Sequence, residues 1–386
     1  KQRRAREESC LILDDTLCEH VGSLFEYVAH HYDHSEDRYP LAHNVVTSFY
    51  ISGAVRFPVD LRTYRRYEEV TQWEEFVKKH FPGSTIPKGQ KQRKAFKQEV
   101  EAVLLKDKEF KQLHDEFQTK IELAQQIIEK AIERKLPFKV VLMDSWYLSE
   151  EIMEFLKERH KDWVSLLKKN RNLEVNSFTL YDQLGKPVKL QGPHIKVQDL
   201  VAQVPENAYK KETINGKDYW CFTLAVSIPG LKKVRIVISF DNKELTGTYA
   251  VLVSNRRDWT ALQILSSYLQ RWPIETFYQD GKGHLGLDNY RMRTIEAIKK
   301  HWCLVFVAYS ILHLECLPSS LVESKGSKSK APLFPIKSIG QVCRQQTEAL
   351  IESLILFAHD LLQKGHSASA VFSKLFAKQH KAELLS

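Results

Sequence analysis

The sequence predicts an α/β protein: a mixed sheet carrying acids at its edge, interrupted by a β-rich block and closed by helices. Three stretches predict it. FKVVLMDSWYLSEEIMEFLKERH (138–160) reads as a buried strand at 138–143, Asp144 at its end, and a helix from about Ser149. The Ser149 hydroxyl can cap that helix, and Glu150 and Glu151 suit its first turn. Such a βα unit holds a carboxylate at the strand's C-terminal edge. CLILDDT (10–16) is an apolar run broken abruptly by acids, as expected of a central strand that delivers a side chain to the same edge. Finally, LYDQLGKPVKLQG, YKKETINGKDYWCFTLAVSIPGLKKVRIVISFD and GTYAVLVSN read as successive strands, joined by turns at Asn215-Gly216 and Pro229-Gly230.

Composition sets the limits. The chain has 386 residues, a formal charge of +9 and a pI near 9.0, enough for an enzymatic core plus an insertion and compatible with a polyanionic partner. No apolar run approaches the roughly 18 residues of a membrane span, so a soluble protein is expected. Cys10, Cys18, Cys221, Cys303, Cys316 and Cys343 lie far apart without a CxxC pair. They read as reduced, mostly buried thiols rather than a zinc site or disulfide framework.

Residues 20–66 alternate polar turns with β-branched and aromatic runs, predicting two or three antiparallel strands beside the first. His30, His31 and His34 lack acids at matching spacing and are read as surface polar residues. Arg62, Arg65 and Arg66 form a basic cluster. From 67 to 136 the chain turns helical. A Lys-rich loop at 81–94 precedes one long charged helix whose Ile121, Ala124, Ile127, Ile128 and Ile132 share a packing face. AIKKHWCLVFVAYSILHL, near 297–314, predicts a buried helix, a Ser/Lys/Pro-rich linker follows at 318–337, and 338–386 reads as an amphipathic appendage.

One stretch gathers the remaining chemistry. In YLQRWPIETFYQDGK (268–282), Tyr268, Arg271, Glu275 and Lys282 fall on one stripe of a helix. A carboxylate among cations, on a surface also holding Trp272 and Tyr278, suits a site for metal ions and nucleic-acid phosphates. Thr260 and Gln263 match a capping box at the start of this region. Pro273 should kink the helix or restart it at the first-turn position that proline tolerates.

Tyr, two residues, Arg, three residues, Glu, six residues, Lys resembles the YREK signature of DDE transposases of the IS4 superfamily. DDT at 14–16, LAHNVVTSFY, VRFPVDLRTY and DSWY resemble its IS701-like branch. The resemblance implies an RNase H-like mixed-sheet core, in two parts at 1–170 and 255–317, with a β-rich insertion at 171–254 and a linker and helical region at 318–386. It implies Asp144 and Glu275 as the second and third catalytic, metal-ligating acids. For the first, only one of Asp14 and Asp15 can face the metal, because strand residues alternate. The D-x-(Ser/Thr) pattern of RNase H-like strands favours Asp14, with Thr16 in third place, and Asp15 is the alternative.

Mg²⁺ or Mn²⁺, as two ions, is the implied cofactor. Hydrolysis and strand transfer at insertion-sequence ends is the implied activity, with Tyr268, Arg271 and Lys282 on DNA. Implied partners are double-stranded DNA, as inverted-repeat ends and target, and a second protomer in the DNA complex. No membrane is implied, and the location would be the prokaryotic cytoplasm or nucleoid. In the family a DNA-binding region precedes the first catalytic strand, so a chain opening on KQRRAREESC is expected to be N-terminally truncated. Lys210, Lys211, Lys232, Lys233 and Arg235 of the insertion could face phosphates, and Trp220 is expected to pack in its sheet. The competing readings are a transposase-derived DNA-binding protein and an RNase H-like structure-specific nuclease.

Overall fold

The structure is a computed structural model and describes residues 9–33, 36–175, 178–190, 193–317 and 337–375. Its centre is a mixed sheet. β1 (Cys10–Glu19) pairs antiparallel with β3 (Leu41–Ser52), which pairs antiparallel with β4 (Val55–Tyr64). On its other side β1 pairs parallel with β5 (Val140–Met143), and β5 pairs parallel with β6 (Asp162–Leu166). The parallel steps need crossovers. α5 (Lys120–Glu133) lies between β4 and β5 in the chain, and α6 (Glu150–Glu158) between β5 and β6. This is the RNase H-like α/β arrangement that the sequence predicts.

The β-rich stretch continues this sheet. β14 (Tyr249–Ser254) pairs with β6, β13 (Lys232–Phe240) with β14, and β12 (Lys217–Ile228) with β13, all antiparallel. β11 (Lys210–Ile214) turns into β12 through Asn215 and Gly216, both at positive φ (52° and 80°), a backbone geometry that suits a two-residue hairpin. Short β7 (Asn172–Glu174) and β10 (His194–Lys196) finish this edge, and β8 (Phe178–Tyr181) and β9 (Pro187–Leu190) form a separate ribbon before α7 (Val197–Gln203). Trp220 is half-buried against the core, as expected.

Strand alternation divides the core into two layers. Leu11, Leu13, Val141 and Met143 pack with Ile121, Ile127, Ile128 and Ile152 of α5 and α6. Cys10, Ile12, Val140 and Leu142 pack on the opposite face. There they meet α8 (Ala261–Leu269), α9 (Pro273–His284) and α10 (Ile295–Glu315) through Ile264, Ile274, Phe277, Ile298 and Trp302.

Several expectations are corrected. The charged stretch expected as one long helix is three: α3 (Gln90–Leu104), α4 (Lys108–Glu116) and α5. Asp107 accepts from the Glu109 and Phe110 N–H groups and starts α4, while Thr119 and Glu122 form a capping box that starts α5. With α1 (Tyr67–Val70) and α2 (Trp73–His80), these first helices enclose their own small core of Trp73, Phe76, Val77, Val100, Leu104 and Phe110. Between 20 and 33 only the two-residue β2 (Ala29–His30) joins the sheet. His31 is buried rather than surface polar, and burial lowers its pKa to about 4. His34 lies outside the described residues. α10 is buried on one face only; Leu304, Val307, Ile311 and Leu314 are exposed.

Five of the six cysteines are buried or half-buried and Cys303 is exposed; none of the six is in a disulfide. α11 (Ile339–Gln363) and α12 (Ala368–Leu375) follow the linker, of which 318–336 lies outside the described residues, as does the opening stretch 1–8. Among the described residues no helix is long and apolar enough to cross a membrane.

Phe277 is the packing joint between α9 and the sheet, 1% exposed and in ring contact with Phe49, Phe306 and Tyr309. Phe277→Ala should cost about 3–5 kcal/mol, read as a lower urea midpoint at unchanged slope.

Candidate active site

Two of the acids, Asp14 and Asp144, come side by side because their strands share a register. Cys10, Leu11 and Ile12 pair with Val140, Val141 and Leu142. Continuing that offset brings Asp14 level with Asp144 at the C-terminal edge. Both continue the face of Ile12 and Leu142, the layer that also holds α9 and its Glu275. Asp144 lies one residue beyond β5, where its Oδ1 accepts from the Trp146 N–H at 2.9 Å and the Tyr147 N–H at 3.4 Å. Ser165 Oγ of β6 donates to the Asp144 carbonyl at 2.9 Å.

Asp15 points the other way. It continues the face of Leu13 and Met143, where Lys120 Nζ donates to its Oδ2 at 2.7 Å and Tyr147 Oη donates to its Oδ1 at 3.1 Å. Thr16 turns back to Asp14's side of the strand and is buried.

The predicted helical stripe is broken. α8 ends at Leu269, Arg271 sits in the turn, and α9 begins at Pro273, the first-turn position where proline costs no hydrogen bond. Glu275 therefore lies in the first turn of α9, where the helix dipole favours an anion. Despite the break, Arg271 joins the acids. Its Nη1 pairs with Asp14 Oδ2 and its Nη2 donates to Glu275 Oε1 at 2.8 Å. Tyr268, on the last turn of α8, has its ring centre 6.0 Å from the Arg271 guanidinium carbon.

Lys282 is one helical stretch away, donating to the Leu17 carbonyl at 2.7 Å. Trp272 is exposed as expected. Tyr278 is not a surface residue: it is buried and bonded to Thr47, the β3 partner of Asp14.

Electrostatics reflect this crowding. Burial pushes the Asp14 carboxyl up from 3.8 to about 7; Arg271 pulls it down, and Asp15, Glu275 and Asp144 push it further up. Asp144 is raised too, first by burial, with Asp15 adding and its backbone hydrogen bonds opposing. Burial raises the Tyr268 phenol to about 12. Burial works against the charge of Arg271, yet Asp14, Tyr268 and Glu275 hold its guanidinium above its ordinary range.

Three carboxylates are a hard-oxygen donor set of the kind that takes Mg²⁺ or Mn²⁺, and their mutual repulsion is the demand a cation would answer. Among the described residues the one trio of potential ligands whose atoms all lie within 4.8 Å is elsewhere: Glu19, Asp33 and Glu36 on the surface, two of them paired with Arg38. Asp14, Asp144 and Glu275 do not close to that distance, and Arg271 stands between two of them.

Sequence reasoning missed Lys120, Tyr147 and Thr47. Tyr147 stands within the DSWY motif and so was in view. Lys120 had no signal, since only the packing of α5 brings it to Asp15. The other proposed basic residues are largely engaged: Arg62 with Asp60, Arg66 with Glu69, Arg65 over Tyr27, Lys211 with Asp218, Lys232 with Glu154, and Arg235 on the Arg257 carbonyl. Lys210 and Lys233 are exposed.

Parallel central strands with acids at one edge, and a further acid on a helix packed over them, form an RNase H-like α/β core. Residues 81–311 match the family described as the transposase DDE domain, more than half of the chain, and the chain belongs to that family. Asp144 and Glu275 lie within the matched residues, and Asp14 precedes them. No curated protein sequence matches the chain. The family makes this a DNA-acting enzyme of the transposase class.

Asp14 also predicts a pH dependence. Its folded pKa lies above its ordinary value, so between about 4 and about 7 the folded state binds the proton that the unfolded chain has released. Through this group the metal-free protein should lose stability as pH rises across that window. Asp14→Asn should flatten the slope, measured as melting temperature against pH.

Proposed function

We propose that the protein is a metal-dependent DDE transposase of the IS4 superfamily, IS701-like branch, catalysing hydrolysis and strand transfer at the ends of its insertion sequence. One observation carries the proposal: Asp14 and Asp144 continue the same face of adjacent parallel strands, and α9, packed on that face, carries Glu275, which shares Arg271 with Asp14. Asp14, Asp144 and Glu275 would hold Mg²⁺ or Mn²⁺. When bound, two such ions supply an activated water or 3′-hydroxyl and stabilise the leaving oxygen of an in-line displacement.

The protein's own residues do the rest. The Trp146 and Tyr147 N–H groups fix the Asp144 carboxylate, and the Ser165 hydroxyl fixes its backbone. Asp15, held by Lys120 and Tyr147, stays out of the ligand set and adds negative potential behind Asp14. Arg271 and Lys282 would contact the phosphate backbone, Arg271 with its two-point fork, and Tyr268 would position by hydrogen bonding. The phenol, raised to about 12, stays protonated at neutral pH.

In the same reading, 171–254 is an insertion within a core formed by 1–170 and 255–317, presenting Lys210 and Lys233 to DNA. Inverted-repeat ends and target DNA are the substrates, within the prokaryotic cytoplasm or nucleoid. Two protomers act together, for which the exposed Leu350, Ile351, Leu354 and Ile355 of α11 offer an apolar surface.

The test is cleavage and joining on duplexes carrying the gene's flanking inverted repeats, with Mg²⁺. Wild type should yield joined 3′ ends, and Glu275→Gln should abolish them, a loss of at least about 10³-fold, while DNA binding survives. Cleavage without joining would make the protein a nuclease instead. In the same assay Asp14→Asn should match Glu275→Gln, whereas Asp15→Asn should keep measurable joining. The reverse order would move the first ligand to Asp15.

A further inference from the structure

We propose that Arg271 is a built-in counter-cation: in the free protein its guanidinium occupies the space between Asp14 and Glu275 that a divalent ion needs, and it must leave before that ion is held. The proposal rests on the metal reading of the three acids. Its geometric basis is a single fork on two carboxylates from different parts of the chain. One nitrogen is on Asp14 of β1 and the other is 2.8 Å from Glu275 of α9. The Arg271 and Asp14 side chains are each only 14% exposed, so this is not a solvated surface pair.

Guanidinium cannot be deprotonated in a protein. The pair therefore does not open by loss of the arginine's proton; it opens by exchange of one cation for another, or by offering Arg271 a better anion. DNA phosphate is such an anion, matched to the two-point fork. Arg271 lies in the turn between α8 and α9, its backbone bonded to Tyr268 and Ile274 at i,i+3 spacing, beside the exposed Trp272. A phosphate that draws Arg271 outward leaves Asp14 and Glu275 free together. Metal and DNA then favour each other's binding, as reciprocal coupling requires, and the protein without DNA is a poor metal binder.

The test labels the complete, DNA-free protein with the arginine reagent phenylglyoxal at pH 8, with and without Mn²⁺, and maps the modified arginines by mass spectrometry. Mn²⁺ binding is followed by electron paramagnetic resonance on the same samples. Arg271 labelling should rise roughly fivefold when Mn²⁺ binds. Unchanged labelling, while Mn²⁺ binds wild type and not Asp144→Asn, overturns the proposal and leaves the metal site standing. If neither wild type nor Arg271→Lys, in which the block is relieved, binds Mn²⁺ better than Asp144→Asn, the metal reading fails, and the proposal with it. As a second arm, Arg271→Lys keeps the charge but cannot span both carboxylates, and should bind Mn²⁺ roughly fivefold more tightly than wild type. Equal or weaker affinity, with circular dichroism showing the folded state, counts against it.

Discussion

Like-charge repulsion among partly buried carboxylates is the constraint around which this molecule is arranged. Asp14, midway along β1, lies level with Asp144 just past the end of β5, Glu275 approaches from α9, and Asp15 lies directly behind. Each is close enough to raise the Asp14 carboxyl, which burial has already displaced. Such a group of acids persists in a fold only with cations to answer it. Arg271 answers on one face of the strand and Lys120 on the other. The acids are thus divided into two electrostatic compartments by the strand itself.

The division follows from packing. β1 is a central strand covered on both sides, so neither face of its Asp-Asp pair opens freely to water. α5 covers one side, bringing Lys120, and the segment after β5 adds Tyr147; α9 and α10 cover the other, where α9 carries Glu275 and the turn before it Arg271. Because consecutive strand residues alternate, the two adjacent aspartates meet different partners. Pro273 contributes on the second side. By restarting the helix it places Glu275 in a first turn, where unsatisfied N–H groups favour its charge.

The apolar contacts beneath hold these distances. Phe277, two residues beyond Glu275, is wedged between Phe49 of β3 and Phe306 and Tyr309 of α10. Tyr278 is bonded to Thr47, the residue paired with Asp14. The alternate residues of this helix therefore serve two purposes: some place the acid and the others anchor the helix to the strand it serves. Membership in the transposase DDE domain family accords with an edge of this kind.

Local patterns in the sequence were sufficient for much of this. An apolar run ending in Asp144, followed by Ser149 and two glutamates, determined a strand, an edge acid and a capped helix, because burial and capping are settled within a few residues. Thr260, Gln263 and Pro273 likewise marked the helix start and restart. What the sequence could not decide was which side of each strand would be covered by which helix. That choice separated Asp14 from Asp15, buried Tyr278 and His31, and brought Lys120 across 105 residues to a carboxylate. It also split a long charged stretch at Asp107 and Thr119, where capping by single side chains competed with helical continuity. Spacing along the chain records periodicity; only the packing of one layer on another determines which charges meet.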